Sequence, residues 1–277
     1  MNPIMPLSSK SSSLDLLPQP FAWIPIPNGD VTLAEGGYLD EATTFTIPLF
    51  EMAKYPITNA QFKIFMDAGG YDEKRWWTGA GWQAKLDGWM WDDFGREWKK
   101  TGVAWTKPRY WDNTTWKGGS DCPVVGVSWY EAVALCNWLS ESTGEKILLP
   151  TEGQWQHAAQ GDDARHFPWG NEWDETRCNN FKLGLRNTTS VTQFEGLGDS
   201  PYGVTDMSGN VWEWCLTVHE TGVTDLDAIG FRILRGVSWI NTDYEVRVSE
   251  RFEIHPKDVA IDVGFRLVRL GWQSSHR

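Results

Sequence analysis

The chain has 277 residues, 41% of them apolar, with a formal net charge of -12 and a pI near 4.9. That length buries a large core without disulfide staples, which excludes a disordered polypeptide. The acidic balance repels phosphate backbones and anionic lipid, and no stretch is long and apolar enough to span a bilayer, so neither nucleic acid nor a membrane is expected as a partner.

Residues 1–20 read as a flexible tail, with Ser11, Ser12 and Ser13 beside Lys10. They have no continuous apolar h-region and no convincing cleavage site, so a cytoplasmic location is expected. A single domain is expected over residues 21–272. Its first strand candidate, Phe21 to Pro27, runs into the turn signal Asn28-Gly29-Asp30, and Thr44 to Phe50 is a second. Three capping boxes announce helices. Thr58 with Gln61 precedes the apolar face of Phe62, Phe65 and Met66, which ends at Gly69. Ser128 with Glu131 opens a helix carrying Val133, Cys136, Trp138 and Leu139, and Thr151 with Gln154 opens one that closes near Gly161.

The sequence holds 19 Trp, a number that suits a core of irregular loops stapled by large aromatics. Many fall in Tyr71 to Ser120, where no helical or strand period persists. This stretch reads as an ordered insertion (residues 71–120) packed on the core, with a sugar-stacking platform as the alternative. From Phe167 onward Gly, Pro, Asn and Asp recur every few residues, and such connections need caps, metals or side-chain networks to hold them. Strands return at Gly230–Arg235 and Val263–Val268. The cysteines, Cys122, Cys136, Cys178 and Cys215, form no C-x-x-C pair. They read as free thiols, with Cys136 buried and inert and a Cys178–Cys215 disulfide left open.

Seven strings in order, from Tyr55-Pro56-Ile57-Thr58-Asn59-Ala60-Gln61-Phe62 through Pro123-Val124-Val125-Gly126-Val127-Ser128-Trp129, Leu149-Pro150-Thr151-Glu152 and Phe167-Pro168-Trp169-Gly170 to Gly209-Asn210-Val211-Trp212-Glu213-Trp214, Leu234-Arg235-Gly236-Val237-Ser238-Trp239 and Gly264-Phe265-Arg266, resemble the formylglycine-generating enzyme, or sulfatase-modifying-factor, family. The resemblance implies an α+β, C-type-lectin-like fold with little regular secondary structure, few helices and short antiparallel strands. It also implies a copper-binding cysteine pair just before the last strand, but the matching positions are Asp243 and Val248, which cannot supply a thiolate. No copper is expected, and the formylglycine reaction is not. In the related iron-dependent sulfoxide synthases the iron-binding histidines sit mainly in an extra N-terminal domain. The histidines here, His157, His166, His219, His255 and His276, show no paired spacing. Family calcium loops map to Asp206 and Glu213 through side chains and to Gly209 and Val211 through carbonyls, a donor set suited to a structural Ca2+. A second family calcium site would use Asn179 and the backbone around Asn180 and Leu185, but its acidic ligand falls at Leu183.

Between Trp239 and Val263 the residue types follow no core or turn logic. Ile240, Asn241, Thr242, Asp243 and Tyr244 run consecutively, then come Phe252, Ile254 and His255, then Ala260, Ile261 and Asp262. Apolar and aromatic side chains on a loop suggest an interaction surface. The arrangement resembles the variable proteins of diversity-generating retroelements, which share this fold and vary just before the C-terminal strand. Randomising the adenines of Asn codons reaches every residue type just named, whereas Glu245, Glu250, Glu253 and Lys257 lie outside that set and would be fixed scaffold. The leading expectation is therefore a non-catalytic, ligand-binding, monomeric protein whose ligand is another protein. An oxygen- and metal-dependent oxidase of the same superfamily and a fixed carbohydrate-binding module are the alternatives.

Overall fold

The three capping boxes form as their sequences direct. Thr58, Ser128 and Thr151 each accept from the backbone N–H three residues on, and Gln61, Glu131 and Gln154 accept from the cap's own N–H at 2.9, 2.7 and 2.9 Å. Positive-φ glycines follow each of these helices, Gly69, Gly144 and Gly161, where a side chain would be strained.

The computed structural model describes residues 11–92, 96–242 and 246–271. In chain order the elements are α1 (Ser13–Leu16), β1 (Trp23–Ile26), β2 (Gly29–Leu33), β3 (Thr43–Ile47), β4 (Phe50–Ala53), α2 (Asn59–Asp67), α3 (Gly79–Asp87), β5 (Trp89–Asp92) and β6 (Glu97–Lys100). There follow α4 (Trp129–Thr143), β7 (Lys146–Leu148), α5 (Glu152–Gln160), β8 (Trp212–Val218), β9 (Arg232–Arg235), β10 (Arg251–Ile254), β11 (Val263–Gly264) and β12 (Val268–Leu270). One sheet has the order β1-β4-β12-β7 and is antiparallel throughout, so the end of the chain is laced between its beginning and its middle. The other has the order β10-β9-β8-β11, with β11 parallel to β8. β2–β3 and β5–β6 are hairpins.

Two apolar clusters fill the space between these elements. The larger gathers Phe62 and Phe65 of α2, Trp129, Val133 and Leu139 of α4, Trp214 and Phe265; the second gathers Trp155 and Ala159 of α5, Ile26, Phe50, Met52 and Val248. Trp129, Trp155 and Trp214 are wholly buried and each indole N–H is satisfied across the fold: Trp129 donates to the Cys215 carbonyl at 3.0 Å, Trp155 to Glu213 Oε2 at 2.8 Å and Trp214 to the Val127 carbonyl at 3.0 Å. The aromatics thus staple loop to strand, as their number suggests.

A buried cation does the same for the chain's two halves. Arg266 donates to both oxygens of Glu213 at 2.6 and 2.7 Å, and spends its remaining N–H groups on the carbonyls of Ala53, Lys54, Thr205 and Asp206. Both side chains are fully buried. Gly264 lies two residues before it because a Cβ there would meet the Val124 carbonyl at 2.7 Å.

The structure corrects several sequence expectations. Residues 11–20, expected within a flexible tail, are packed: Leu17 joins the larger core, Trp23 Nε1 donates to Ser13 Oγ at 2.8 Å, and Gln61 donates to the carbonyls of Pro18 and Pro20. The remainder of that tail lies outside the described residues. The stretch 71–120 does contain regular elements, α3 and the β5–β6 hairpin. The cap Thr78, which accepts from Gly81 N–H, and the left-handed Gly88 mark the ends of α3, but its apolar residues do not keep to one face, so periodicity does not reveal it. Thr44 to Phe50 is not one strand, because β3 ends at Ile47 and β4 begins at Phe50. Pro48 interrupts it, since a proline cannot donate to a ladder. The stretch from 163 to 211 has only short 3-10 turns, held by amide side chains: Asn180 accepts from Lys182 and Leu183 N–H, and Asn210 from Thr189 N–H.

Two predictions follow from this packing. Arg266→Ala leaves Glu213 charged and buried without its partner, and should cost about 3–5 kcal/mol of unfolding free energy in urea denaturation, far more than an exposed pair would. A loss near zero would mean that Glu213 is satisfied without the arginine. The other concerns Glu131, which is wholly buried against Tyr71 and Ser128 and pushed up by burial to about 7, from an ordinary 4.5. A raised folded pKa means the native state holds the proton that the unfolded chain has released. This stabilisation is complete below about pH 4.5 and fades as pH rises through 7. Unfolding free energy should therefore fall between about pH 4.5 and 7, by up to about 1.4 kcal/mol per unit for each such proton, and level off above 7, and Glu131→Gln should flatten that slope. An unchanged slope in Glu131→Gln would count against it.

Candidate functional site

The segment from Trp239 to Val263 begins four residues after β9 ends at Arg235 and returns to the sheet as β11. Its two ends are pinned together. Ser238 Oγ lies 2.7 Å from Asp262 Oδ2 and 2.9 Å from Asn241 Oδ1, and Asn241 Oδ1 also accepts from Trp212 Nε1 at 3.2 Å. The Asn241 carbonyl accepts from Phe181 N–H at 3.0 Å. Asn241 and Asp262 therefore shape the backbone, and burial raises the Asp262 carboxyl above its usual range. Trp239 stacks on Trp116 at 6.0 Å, which fastens the segment to the Trp-rich stretch.

The segment is less irregular than its sequence suggests. Arg251–Ile254 forms β10, an edge strand paired with β9, while Val246 and Val248 are buried. The alternation is too short and too mixed in residue type to read as a strand beforehand. Of the proposed contact residues, Ile240 (42%) and Phe252 (49%) are exposed, whereas Thr242, Ile254, His255, Ala260 and Ile261 are half-buried. The Phe252 ring lies 5.9 Å from Trp212. His255 faces elsewhere, with its ring 6.0 Å from Phe231 and 6.0 Å from Trp98. Burial, then the nearby Lys257, lowers the His255 imidazole to about 4, so it is neutral at pH 7. The Ala260 carbonyl accepts from Gly126 N–H at 2.9 Å. Asp243 and Tyr244 lie outside the described residues.

For the family's thiol chemistry the structure offers no group. Val248 is 1% exposed, with its N–H on the His166 carbonyl and its own carbonyl accepting from Arg235. The other matching position is the undescribed Asp243. All four cysteines are free and buried, which removes the Cys178–Cys215 disulfide. Burial pushes every thiol up, Cys178 to about 12, so none is a thiolate at neutral pH.

The loop expected to hold calcium divides into a residue that suits the ion and one that does not. Asp206 and Asn210 both adopt left-handed backbone, with φ of 57° and 66°. Asp206 Oδ2 accepts from Asn210 Nδ2 at 2.9 Å, while Oδ1 is buried with no partner, as is Asn179 Oδ1. Burial pushes Asp206 up to about 7, which an adjacent divalent cation would reverse. Glu213 does not fit as a ligand, because its oxygens accept from Arg266 and Trp155. The Gly209 carbonyl already accepts from Val211 N–H at 2.9 Å. The four-residue set as expected is thus a single anionic donor, Asp206, with backbone around it. Among the described residues no group of three or more His, Cys, Asp or Glu could hold a metal.

Sequence reading missed a cavity of about 480 Å³ under the β5–β6 hairpin, lined among others by Trp89, Trp98, Trp105, Arg109 and Lys257. The clustered indoles were the available signal, but nothing in the sequence places residues 107–110 and 257–259 on the opposite wall. The sugar-stacking alternative is narrowed as well. Trp76, at 6% exposure, and Trp77 are core residues, and Trp82 is half-buried with Lys85 over its ring at 4.6 Å.

Comparison with known proteins agrees with the fold. Hercynine oxygenase of Mycolicibacterium smegmatis is 30% identical over 256 residues, covering 82% of this chain and 53% of that protein, so the chain spans about half the length of this relative. The mouse protein named inactive C-alpha-formylglycine-generating enzyme 2 is 29% identical, covering 81% of this chain and 76% of its own. Among solved structures, PvdO from Pseudomonas aeruginosa superposes with a TM-score of 0.66 at 22% identity, covering 89% of this chain and 93% of that one. Treponema denticola variable protein 1 superposes with a TM-score of 0.60 at 19% identity, covering 90% and 95%. The α+β, C-type-lectin-like arrangement is therefore shared with both. The family described as the sulfatase-modifying factor enzyme 1-like domain matches residues 17–270, and the chain belongs to that family.

Proposed function

We propose that this chain binds a protein ligand and catalyses no reaction on it, using the face around Ile240, Phe252 and the intervening segment. The observation that carries the reading is the replacement of a reactive thiol position by the core residue Val248, beside a surface that exposes Ile240 and Phe252. Exposed apolar and aromatic side chains held on a pinned backbone suit recognition, because little order is lost on binding. That family members include a protein named inactive is consistent with such a role.

The finer reading is a surface diversified by a retroelement. Its support is the residue set within Trp239 to Val263 and a scaffold whose stability lies in remote buried staples, since exposed substitutions then change stability little. The hydrogen bonds of Asn241 and Asp262 argue that variation would concentrate on Ile240, Phe252 and their exposed neighbours. Sequencing the gene in independent isolates should find substitutions confined to Trp239–Val263. An invariant segment would remove the diversified reading and leave a fixed binder. A monomer in the cytoplasm goes with this function, and sedimentation would give the expected mass of one chain.

Structural calcium through Asp206 belongs to the same proposal. At pH 8, millimolar calcium should raise the melting temperature of the protein and leave Asp206→Asn unmoved; equal shifts would remove the ion from this loop. Metal analysis of the purified protein should find neither copper nor iron. Either in stoichiometric amount, with oxygen consumption, would replace the binder by an oxidase.

A further inference from the structure

The cavity under the β5–β6 hairpin has a chemistry distinct from the exposed face. Its volume of about 480 Å³ is in the range of small-molecule sites. Its walls are indole. Trp98 packs edge-on against Trp91 at 5.7 Å, and Trp105 Nε1 donates to the Trp89 carbonyl at 3.1 Å, which fixes the hairpin to the strap that follows it. Lys257 reaches across from the C-terminal segment, with Nζ 3.9 Å from the Trp89 ring centre and 4.6 Å from that of Trp98. Arg109 also lines the cavity, its guanidinium 3.7 Å from Met90 Sδ.

Charge decides what would enter. Among the described residues, neither Lys257 nor Arg109 has a carboxylate within ion-pairing distance, whereas the nearby Lys107 and Lys100 are paired with Asp112 and Asp87. Glu131, which lines the cavity, and Asp258, which neighbours Lys257 in sequence, are committed elsewhere. Glu131 accepts from Tyr71 and Ser128, and Asp258, beside Lys257, accepts from His255 N–H at 2.9 Å. Burial lowers the Lys257 ammonium, so an incoming anion would offset a cost the folded protein already bears. A ligand cation would find the faces of Trp89 and Trp98 already carrying an ammonium and would meet like charge there.

We propose that this cavity binds a small aromatic carboxylate, with its ring against Trp105 and the indole surface that Lys257 leaves open and its carboxylate between Lys257 and Arg109. The site uses none of the residues assigned to protein recognition, so it stands whether or not that reading holds.

Calorimetric titration of the full chain with indole-3-acetate, and with tryptamine as the same ring bearing a cation, tests the assignment. Indole-3-acetate should saturate one site and tryptamine should bind at least tenfold more weakly. Lys257→Met should weaken indole-3-acetate at least tenfold, and Lys257→Arg should recover most of the loss. Arg109→Gln, at an exposed position that leaves the fold intact, should weaken it severalfold and serves if Lys257→Met does not fold. No binding of indole-3-acetate at millimolar concentration, equal affinity for both probes, or affinity unmoved by both Lys257→Met and Arg109→Gln would overturn it.

Discussion

The pairing of Arg266 with Glu213 is the constraint on which the other contacts depend. A buried guanidinium is costly to desolvate, and acceptors for its N–H groups offset that cost. Arg266 finds its acceptors in Glu213 from β8, the Ala53 and Lys54 carbonyls at the end of β4 and those of the loop at Thr205 and Asp206. Residues 53–54, 205–213 and 266, distant in sequence, are thereby held at one point. Trp155 closes the same point by donating to Glu213, which fixes α5 against β8. A second buried group, Glu152 with Arg235 and Arg251, pairs charges at the first residue of α5.

This arrangement separates stability from display. The staples lie in the interior, and the segment after Trp239 is held by its pinned ends, through Ser238, Asn241 and Asp262, and by the buried Val246 and Val248, while Ile240 and Phe252 stay exposed. Glu213 as counter-ion of Arg266 also reassigns a residue that the family resemblance gives to calcium. Asp206, with a buried oxygen left unpartnered, keeps that possibility for itself. The cavity beneath the hairpin is built on the same principle, since Trp105 and Lys257 hold its walls from outside the hairpin.

Much of this was legible from local chemistry. Thr58, Ser128 and Thr151 announce their helices because a capping box satisfies its donors within four residues, independent of what packs above it. The Trp content announces a stapled core, and Trp129, Trp155 and Trp214 are such staples. Two of the seven strings hold the buried pair, Glu213 in one and Arg266 in another. Less legible were the elements whose order comes from distant partners. Residues 11–20 look like a tail, but Gln61 and the main core hold them. α3 lacks an apolar stripe, and β10 exists only because β9 offers it an edge.

The sequence by itself determined the helix starts, the absence of the family's thiol pair and the sign of the surface charge. These depend on residue identity or on neighbours a few positions apart. Only the tertiary structure decided that Glu213 serves Arg266, that Asn241 and Asp262 are structural while Ile240 and Phe252 face solvent, and that Lys257 caps a wall of indoles. Each of those depends on groups brought together across long stretches of chain, where one residue type has several possible partners and burial selects among them.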